Sequence, residues 1–220
     1  MPTQAFPPAT GPIRTGDEID AALELLGPAP TALDCGCSYG RAASKLQQRG
    51  SSVTGIELIP ELGQRAQPHL CELILGDLQA PETWDRLADR RFDAVLFIHV
   101  LEHLTQAPWV LQQARERLAP HGAMLVVLPN VSVWHMRLHL LNGRFDYDSE
   151  GIRDTTHVRF YTYQTACRLL HDAGLVIEKT SLFAAPLPTN PIKKLIIRTA
   201  FAARRMAFVH SMMFRARPAT

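Results

Sequence analysis

Short apolar runs alternate with longer amphipathic stretches along most of the chain, and glycine or proline separates them. After a Pro-rich lead over residues 1–15, Asp17 to Leu26 places Ile19, Ala22, Leu23 and Leu26 on one helical face. The run Thr31 to Cys35 predicts a strand, and a helix follows from about Tyr39 to Arg49. The pattern then repeats: strand Ser52 to Glu57, helix Pro60 to Pro68, strand Cys71 to Leu75, helix Pro81 to Asp89. Phe92 to Phe97 and Ala123 to Leu128 read as strands four and five, with a helix from Pro108 to Leu118 between them. Parallel strands need crossover connections, so five strands alternating with helices predict a parallel sheet covered on both faces, an open α/β sandwich. Thr162 to Ala173 is a further helix, closed by Gly174, and Leu175 to Leu182 a sixth strand. The less regular stretch between Asn130 and Phe160 follows strand five, at the sheet end where loops of such folds build binding sites.

Length and composition narrow the picture without changing it. A chain of 220 residues with 46% hydrophobic and 20% charged residues fits one folded domain and excludes disordered or fibrous classes. No apolar run approaches the roughly 20 residues of a membrane span, and the first fifteen residues lack a signal-peptide pattern, so a cytoplasmic location is expected. The four cysteines give no disulfide framework. Cys35-x-Cys37 lacks a second ligand pair, and no metal is expected there. The net charge of +2 is unevenly spread: from Thr180 onward there are seven basic residues and no acid, which leaves −5 on the first 179. Nucleic acid is therefore not an expected partner of the first 179 residues, while the basic end could face an anionic neighbour or simply be solvated.

The candidate chemistry begins at the end of the first strand, in Asp34-Cys-Gly36-Cys37-Ser-Tyr-Gly40. Glycines in a strand-to-helix turn let the backbone approach a ligand, and the helix beyond offers unpaired N–H groups. Glu57 ends strand two, where an acid can accept both hydroxyls of a ribose. The turn lacks the three glycines of G-x-G-x-x-G, which argues against a dinucleotide. Gly76-Asp77-Leu78 follows strand three, and its carboxylate could accept from an adenine amino group or cap its own turn.

With these features in order, and with Phe92-Asp93-Ala-Val-Leu, Leu101-Glu-His-Leu104 and Leu118-Ala-Pro-His-Gly122 after them, the sequence resembles the class I S-adenosylmethionine-dependent methyltransferases over about Thr31 to Leu182. It departs at Ser38 and His121, where glycine is common. The resemblance implies a Rossmann-like, doubly wound sheet of seven strands in a single domain, the last strand (Ala207 to Arg217) inserted antiparallel. The basic stretch 192–205 becomes a helix between strands six and seven. The expected division is a flexible lead (1–15), a cofactor half (31–128) and an acceptor loop region (129–161), all but the lead within a domain of residues 16–220. The resemblance further implies S-adenosyl-L-methionine as cofactor, with Asp34, Gly36, Cys37 and Gly40 around its methionine part, Glu57 at the ribose, Asp77 and Leu78 at the adenine, and His99 at the tip of strand four. More narrowly, Pro129-Asn130, Gly143 to Tyr147 and Gly151 to Phe160 look like bacterial small-molecule methyltransferases of polysaccharide and antibiotic biosynthesis.

Methyl transfer to a hydroxyl needs the acceptor aligned and its proton removed, and histidine suits that transfer near neutrality. The catalytic candidates are His99, His103 and His157, with Asp154 as an orienting carboxylate and Arg159 as an anion clamp; alternatively Asp154 and Arg159 form a structural ion pair. Trp134, Phe145, Tyr147, Phe160 and Tyr161 offer either a ring-binding face or a loop core. His99-Val-Leu-Glu102-His103 also matches H-x-x-E-H of zinc peptidases, which requires both histidines on one helical face and a distant third ligand. The expected function is O-methylation of a small molecule such as a sugar or glycan precursor. The alternatives are a quinone or phenol O-methyltransferase, a non-catalytic cofactor-binding partner protein, and the zinc hydrolase. Apolar residues beside the basic charges of 192–205 raise a peripheral contact with the inner membrane face as an expectation for that segment.

Overall fold

The computed structural model of the chain describes residues 6, 8–184 and 205–219. Among them are eight strands: β1 (Ile13–Arg14), β2 (Thr31–Cys35), β3 (Ser52–Glu57), β4 (Glu72–Leu75), β5 (Phe92–Ile98), β6 (Leu118–Pro129), β7 (Leu175–Phe183) and β8 (Ser211–Pro218). The helices are α1 (Glu18–Leu26), α2 (Arg41–Gln48), α3 (Pro60–Ala66), α4 (Pro81–Asp85), α5 (Ala107–Glu116), α6 (Trp134–Leu141) and α7 (Tyr163–Asp172). One sheet runs β1-β7-β8-β6-β5-β2-β3-β4, parallel throughout except that β8 lies antiparallel between β6 and β7.

The alternation of side chains explains why both faces are covered. In β5, Val95 and Phe97 enter one core cluster with the α5 and α7 residues Leu111 and Leu170, while Ala94 and Leu96 enter the other with Leu23 of α1 and Leu46 of α2. β6 repeats this, with Met124, Val126 and Leu128 on one side and Ala123, Leu125 and Val127 on the other. Each such fully buried large side chain stabilises the fold by roughly 1.5–3 kcal/mol. The strand sequence reverses direction between β2 and β5, so the loops after these two strands part and leave a crevice. A half-buried polar pair fixes the other end of the two strands, where the Thr31 hydroxyl and amide donate to Asp93 Oδ2 at 2.7 and 3.0 Å.

The sheet has one strand more than the expected seven. Part of the Pro-rich lead, expected to be flexible, supplies it: Ile13 and Arg14 pair with Leu182 and Phe183, and Phe6, Ala9 and Ile13 pack on the core. The apolar Ile13 and the free edge of β7 together outweigh the disorder that four prolines suggest. The final strand begins at Ser211 and not at Ala207, because Arg205 to Phe208 form a 3₁₀ turn. Asn130 joins that turn to the sheet: buried after β6, its amide donates to the carbonyls of Met206 and Val209 at 2.9 and 2.8 Å. Of the stretch 192–205 expected as a basic helix, residues 192–204 lie outside the described residues and Arg205 opens the 3₁₀ turn. Of the remaining basic residues of the C-terminal part, Arg215 and Arg217 both pair with Glu178. No helix among the described residues is long and apolar enough to cross a membrane.

Candidate active site

The crevice at the strand reversal contains a cleft of about 410 Å³, lined by Asp34, Gly36, Cys37 and Ser38 from the β2 turn, His99 from the end of β5, and Asp17 and Glu18 from the start of α1 among others. Gly36 has φ +73°, and a Cβ there would stand 2.7 Å from Val100 Cγ2. Gly36→Ala should therefore lower the thermal unfolding midpoint and cofactor affinity together, checked by calorimetry. Ser38, where glycine is common in the resembling family, keeps a glycine-like φ of +49°. Its amide donates to Glu57 Oε2 at 2.7 Å, and Ile59 N donates to Oε1 at 3.0 Å, so the Glu57 carboxylate holds the strained turn in place. Asp34 is 2% exposed, and its Oδ2 has no hydrogen-bond partner among the described residues. Burial, with the Glu57 charge behind it, pushes the Asp34 carboxyl up to about 7.

Of the expected cofactor residues, Asp34, Gly36, Cys37 and His99 come together in this cleft, whereas Gly40, Glu57, Asp77 and Leu78 do not line it. Gly40 caps α2 with φ +82° and sits where a Cβ would meet Ala66. Asp77 accepts from Gln79 N at 2.8 Å, the turn-capping role, and Leu78 is buried, its carbonyl bound by Trp84 Nε1 at 2.7 Å.

A second cavity of about 520 Å³ lies beyond His99, lined by His103, His135, His157 and His210 together with Glu102 and Asp154. His99 lines both spaces. It follows β5 with a left-handed φ of +55°, its Nε2 is 3.1 Å from Glu18 Oε2 and its Nδ1 3.3 Å from Glu102 Oε1. Burial opposes the charge on His99, but the Glu102 and Glu18 carboxylates outweigh it and push the imidazole up to about 10. Held as an imidazolium, His99 has no lone pair to receive a proton near neutrality, which corrects its expected role as a base. Arg159 is tied to the loop backbone, its Nε and Nη2 donating to the carbonyls of Leu104 and Thr105, and its remaining N–H groups are not fixed by these contacts. It does not pair with Asp154, whose Oδ1 accepts from the Thr156 amide and hydroxyl at 2.8 and 2.6 Å, a pair of donors that lowers its pKa.

These contacts hold the loop over the cavity. Val158 and Arg159 amides both donate to the Glu102 carbonyl at 3.0 Å, so the loop lies along the segment after β5. Phe145, Tyr147 and Phe160 form edge-on ring contacts at 5.1–5.6 Å and do not line the cavity, which favours the loop-core reading for them. Glu18, Thr156, His135 and His210 were not expected at the site. The H-x-x-E-H pattern does not lie on a helical face, because His99 is in left-handed backbone and Leu101 to His103 form a 3₁₀ turn; His99 turns to Glu18 while His103 meets His157 with ring centroids 4.7 Å apart.

An open sheet with an antiparallel strand inserted beside β6 and β7, and a glycine turn facing an acid at the end of the next strand, defines a Rossmann-like nucleotide-binding fold of the methyltransferase type. Its shape is similar to that of a S-adenosylmethionine-dependent methyltransferase from Archaeoglobus fulgidus (TM-score 0.66, 16% identity, 90% of each chain). It is also similar to a putative methyltransferase from Bacillus halodurans (TM-score 0.65, 17% identity, 93% of this chain and 100% of the other). In sequence, residues 12–180 match a methyltransferase-domain family. The chain belongs to this family, the class I S-adenosylmethionine-dependent methyltransferases. Curated relatives include ubiquinone biosynthesis O-methyltransferases of Azorhizobium caulinodans (30% identity over 115 residues, 51% of this chain and 46% of the relative) and Xanthomonas axonopodis pv. citri (30% over 178 residues, 79% and 72%). The match with the first of these spans about half of that relative's length.

Proposed function

We propose that the chain transfers the methyl group of S-adenosylmethionine to a hydroxyl oxygen of a small ring-shaped acceptor seated in the histidine-lined cavity. The observation that carries this reading is that a cofactor-type cleft and a separate histidine-lined cavity share one wall, His99, at the point where the sheet reverses. The residues fit the cofactor: Asp34 offers its ammonium group a buried carboxylate oxygen that has no partner among the described residues, and Gly36 leaves the space that a Cβ would fill. When bound, the sulfonium supplies an activated methyl group. Glu57, close behind the glycine turn, is the ribose acceptor in this reading, with Gly40, Asp77 and Leu78 framing the rest of the nucleoside. His99 separates the two spaces and, as a cation, takes no proton; His103 and His157 present imidazoles to the acceptor.

A phenol or quinol acceptor is supported by the relatives named ubiquinone biosynthesis O-methyltransferase. A sugar is the second reading, supported by the imidazoles and carboxylates among the cavity's lining residues and by the absence of the loop aromatics from that lining. The test is conversion of S-adenosylmethionine to S-adenosylhomocysteine by the purified chain with simple catechols, phenols and hexoses, read by mass spectrometry. Methylated phenolic product is the expected result; methylated hexose alone would favour the second reading, and cofactor binding without turnover on any acceptor would make the chain a binding protein.

A further inference from the structure

Around Glu102 the chain has gathered electron pairs without enough protons to share. The Glu102 side chain has no exposed surface; its Oε1 faces the ion-paired His99 Nδ1 at 3.3 Å, and its Oε2 has no hydrogen-bond partner among the described residues. His103 Nδ1 lies 3.0 Å from the Thr156 hydroxyl and 3.3 Å from the Thr156 carbonyl. That hydroxyl has a single proton and gives it to Asp154 Oδ1 at 2.6 Å, so it accepts from His103, and Nδ1 of His103 carries the hydrogen. His157 Nδ1 is 3.0 Å from the Ile152 carbonyl, an acceptor only, so it too carries its hydrogen there. In both rings the nitrogen left over is Nε2, with a lone pair. Glu102, His103 and His157 each place one ligand-type atom within 4.8 Å of the others.

Imidazoles whose far N–H is anchored on a carbonyl or hydroxyl, beside a buried carboxylate with an oxygen to spare, are the arrangement in which proteins hold a metal ion. We propose that Glu102, His103 and His157 bind a divalent first-row transition ion such as zinc, cobalt or manganese at the edge of the acceptor cavity. Two nitrogens and one carboxylate suit these ions better than magnesium or calcium, which prefer oxygen ligands. Three protein ligands leave coordination positions open toward the cavity, as in catalytic rather than structural sites. This is not the peptidase pattern: His99 is committed to Glu18 and Glu102, and the third ligand comes from the loop at His157.

The role assigned to the ion rests on the O-methylation reading above. The acceptor hydroxyl oxygen binds at an open position, where the ion lowers its pKa. The O–H bond breaks and its proton leaves to water. The oxygen electron pair forms the new bond to the methyl carbon while the sulfur–methyl bond breaks, its electron pair staying on sulfur to give S-adenosylhomocysteine. An acceptor with two adjacent hydroxyls can occupy two positions, which gives the site a preference for vicinal diols of the catechol kind. Asp154 and Thr156 act as positioning residues through the His103 ring.

The full chain, stripped of metal with a chelator, is titrated with cobalt(II) and followed by visible absorption. One cobalt per chain is expected, with His157→Ala and His103→Gln binding at least roughly 100-fold more weakly and Thr156→Val about 10–100-fold more weakly. His135→Ala, which alters the same cavity outside the ligand set, should bind cobalt as the unaltered chain does. Unchanged S-adenosylhomocysteine affinity in His157→Ala shows that the variant is folded. No cobalt uptake by the unaltered chain, or equal affinity in the His103 and His157 variants, overturns the site. Stoichiometric cobalt with methyl transfer indifferent to its removal overturns the assigned role. Stoichiometric cobalt without methyl transfer to any acceptor keeps the site and sinks the O-methylation reading.

Discussion

Replacing Asp34 by asparagine is expected to make the empty protein more stable and the cofactor complex weaker. The carboxyl titrates at about 7 in the fold against a usual 3.8, because burial and the nearby Glu57 charge disfavour its ionised form. A raised folded-state value means that the folded chain binds more protons than the unfolded chain between those two pH values. The penalty is therefore absent below about pH 4, grows as pH rises toward 7, and is complete above it, with an upper bound of about 4 kcal/mol from the pKa difference. The asparagine side chain is isosteric and uncharged, so the unfolding midpoint of the empty Asp34→Asn variant should exceed that of the unaltered chain at pH 8 and match it near pH 4. Saturating S-adenosylmethionine should narrow or reverse the gap, since its ammonium group then neutralises the native carboxylate. Thermal unfolding at several pH values, with and without ligand, checks both halves; a variant destabilised at pH 8 without ligand would mean that Asp34 has a structural partner instead.

The second large effect is expected at Glu57. Its two oxygens are each taken by a backbone amide, Ser38 N at 2.7 Å and Ile59 N at 3.0 Å, and its side chain is buried. Glu57→Gln keeps the shape but turns an N–H₂ donor toward one of those amides, leaving a buried donor unpaired at a cost of about 1–3 kcal/mol. Glu57→Ala removes both contacts and frees Ser38 from its left-handed backbone. Both variants should lose S-adenosylhomocysteine binding by 100-fold or more in calorimetry, on the order of the 1.4 kcal/mol per tenfold conversion applied to a charged hydrogen bond and a misplaced turn. Normal affinity in Glu57→Ala would remove Glu57 and the Ser38 turn from the cofactor site.

What the sequence revealed and what it withheld follows from how far apart in the chain the partners stand. The alternation of apolar runs and helices was enough for the doubly wound sheet, since both faces of β5 and β6 must be covered and their residues are apolar nearly throughout. The glycine turn was readable because Asp34, Gly36 and Gly40 lie within one short loop whose backbone needs are local. The antiparallel place of β8 came from family resemblance, for nothing local distinguishes its alternation from that of a parallel strand. Ile13 and Arg14 were hidden by the prolines around them, although two residues sufficed to extend the edge of β7. The acceptor side was the least legible. Glu18 reaches His99 across 81 positions, His103 meets Thr156 across 53, and Asn130 grips Met206 across 76, contacts that only the finished fold creates. His99 illustrates the consequence: as an isolated residue at a strand tip it reads as a base, but two carboxylates from different elements make it a cation. Arg159 shows the reverse case, a charge read as facing a ligand whose Nε and Nη2 are turned to the carbonyls of Leu104 and Thr105.

Methyl transfer by this chain is tested most directly in a single-turnover reaction with S-adenosylmethionine labelled in its methyl group, purified chain in excess, and a catechol acceptor. Labelled O-methyl catechol and one equivalent of S-adenosylhomocysteine are expected, with both lost in Glu57→Ala. Label that stays on the cofactor, or product formed equally well by Glu57→Ala, would contradict methyl transfer at this site.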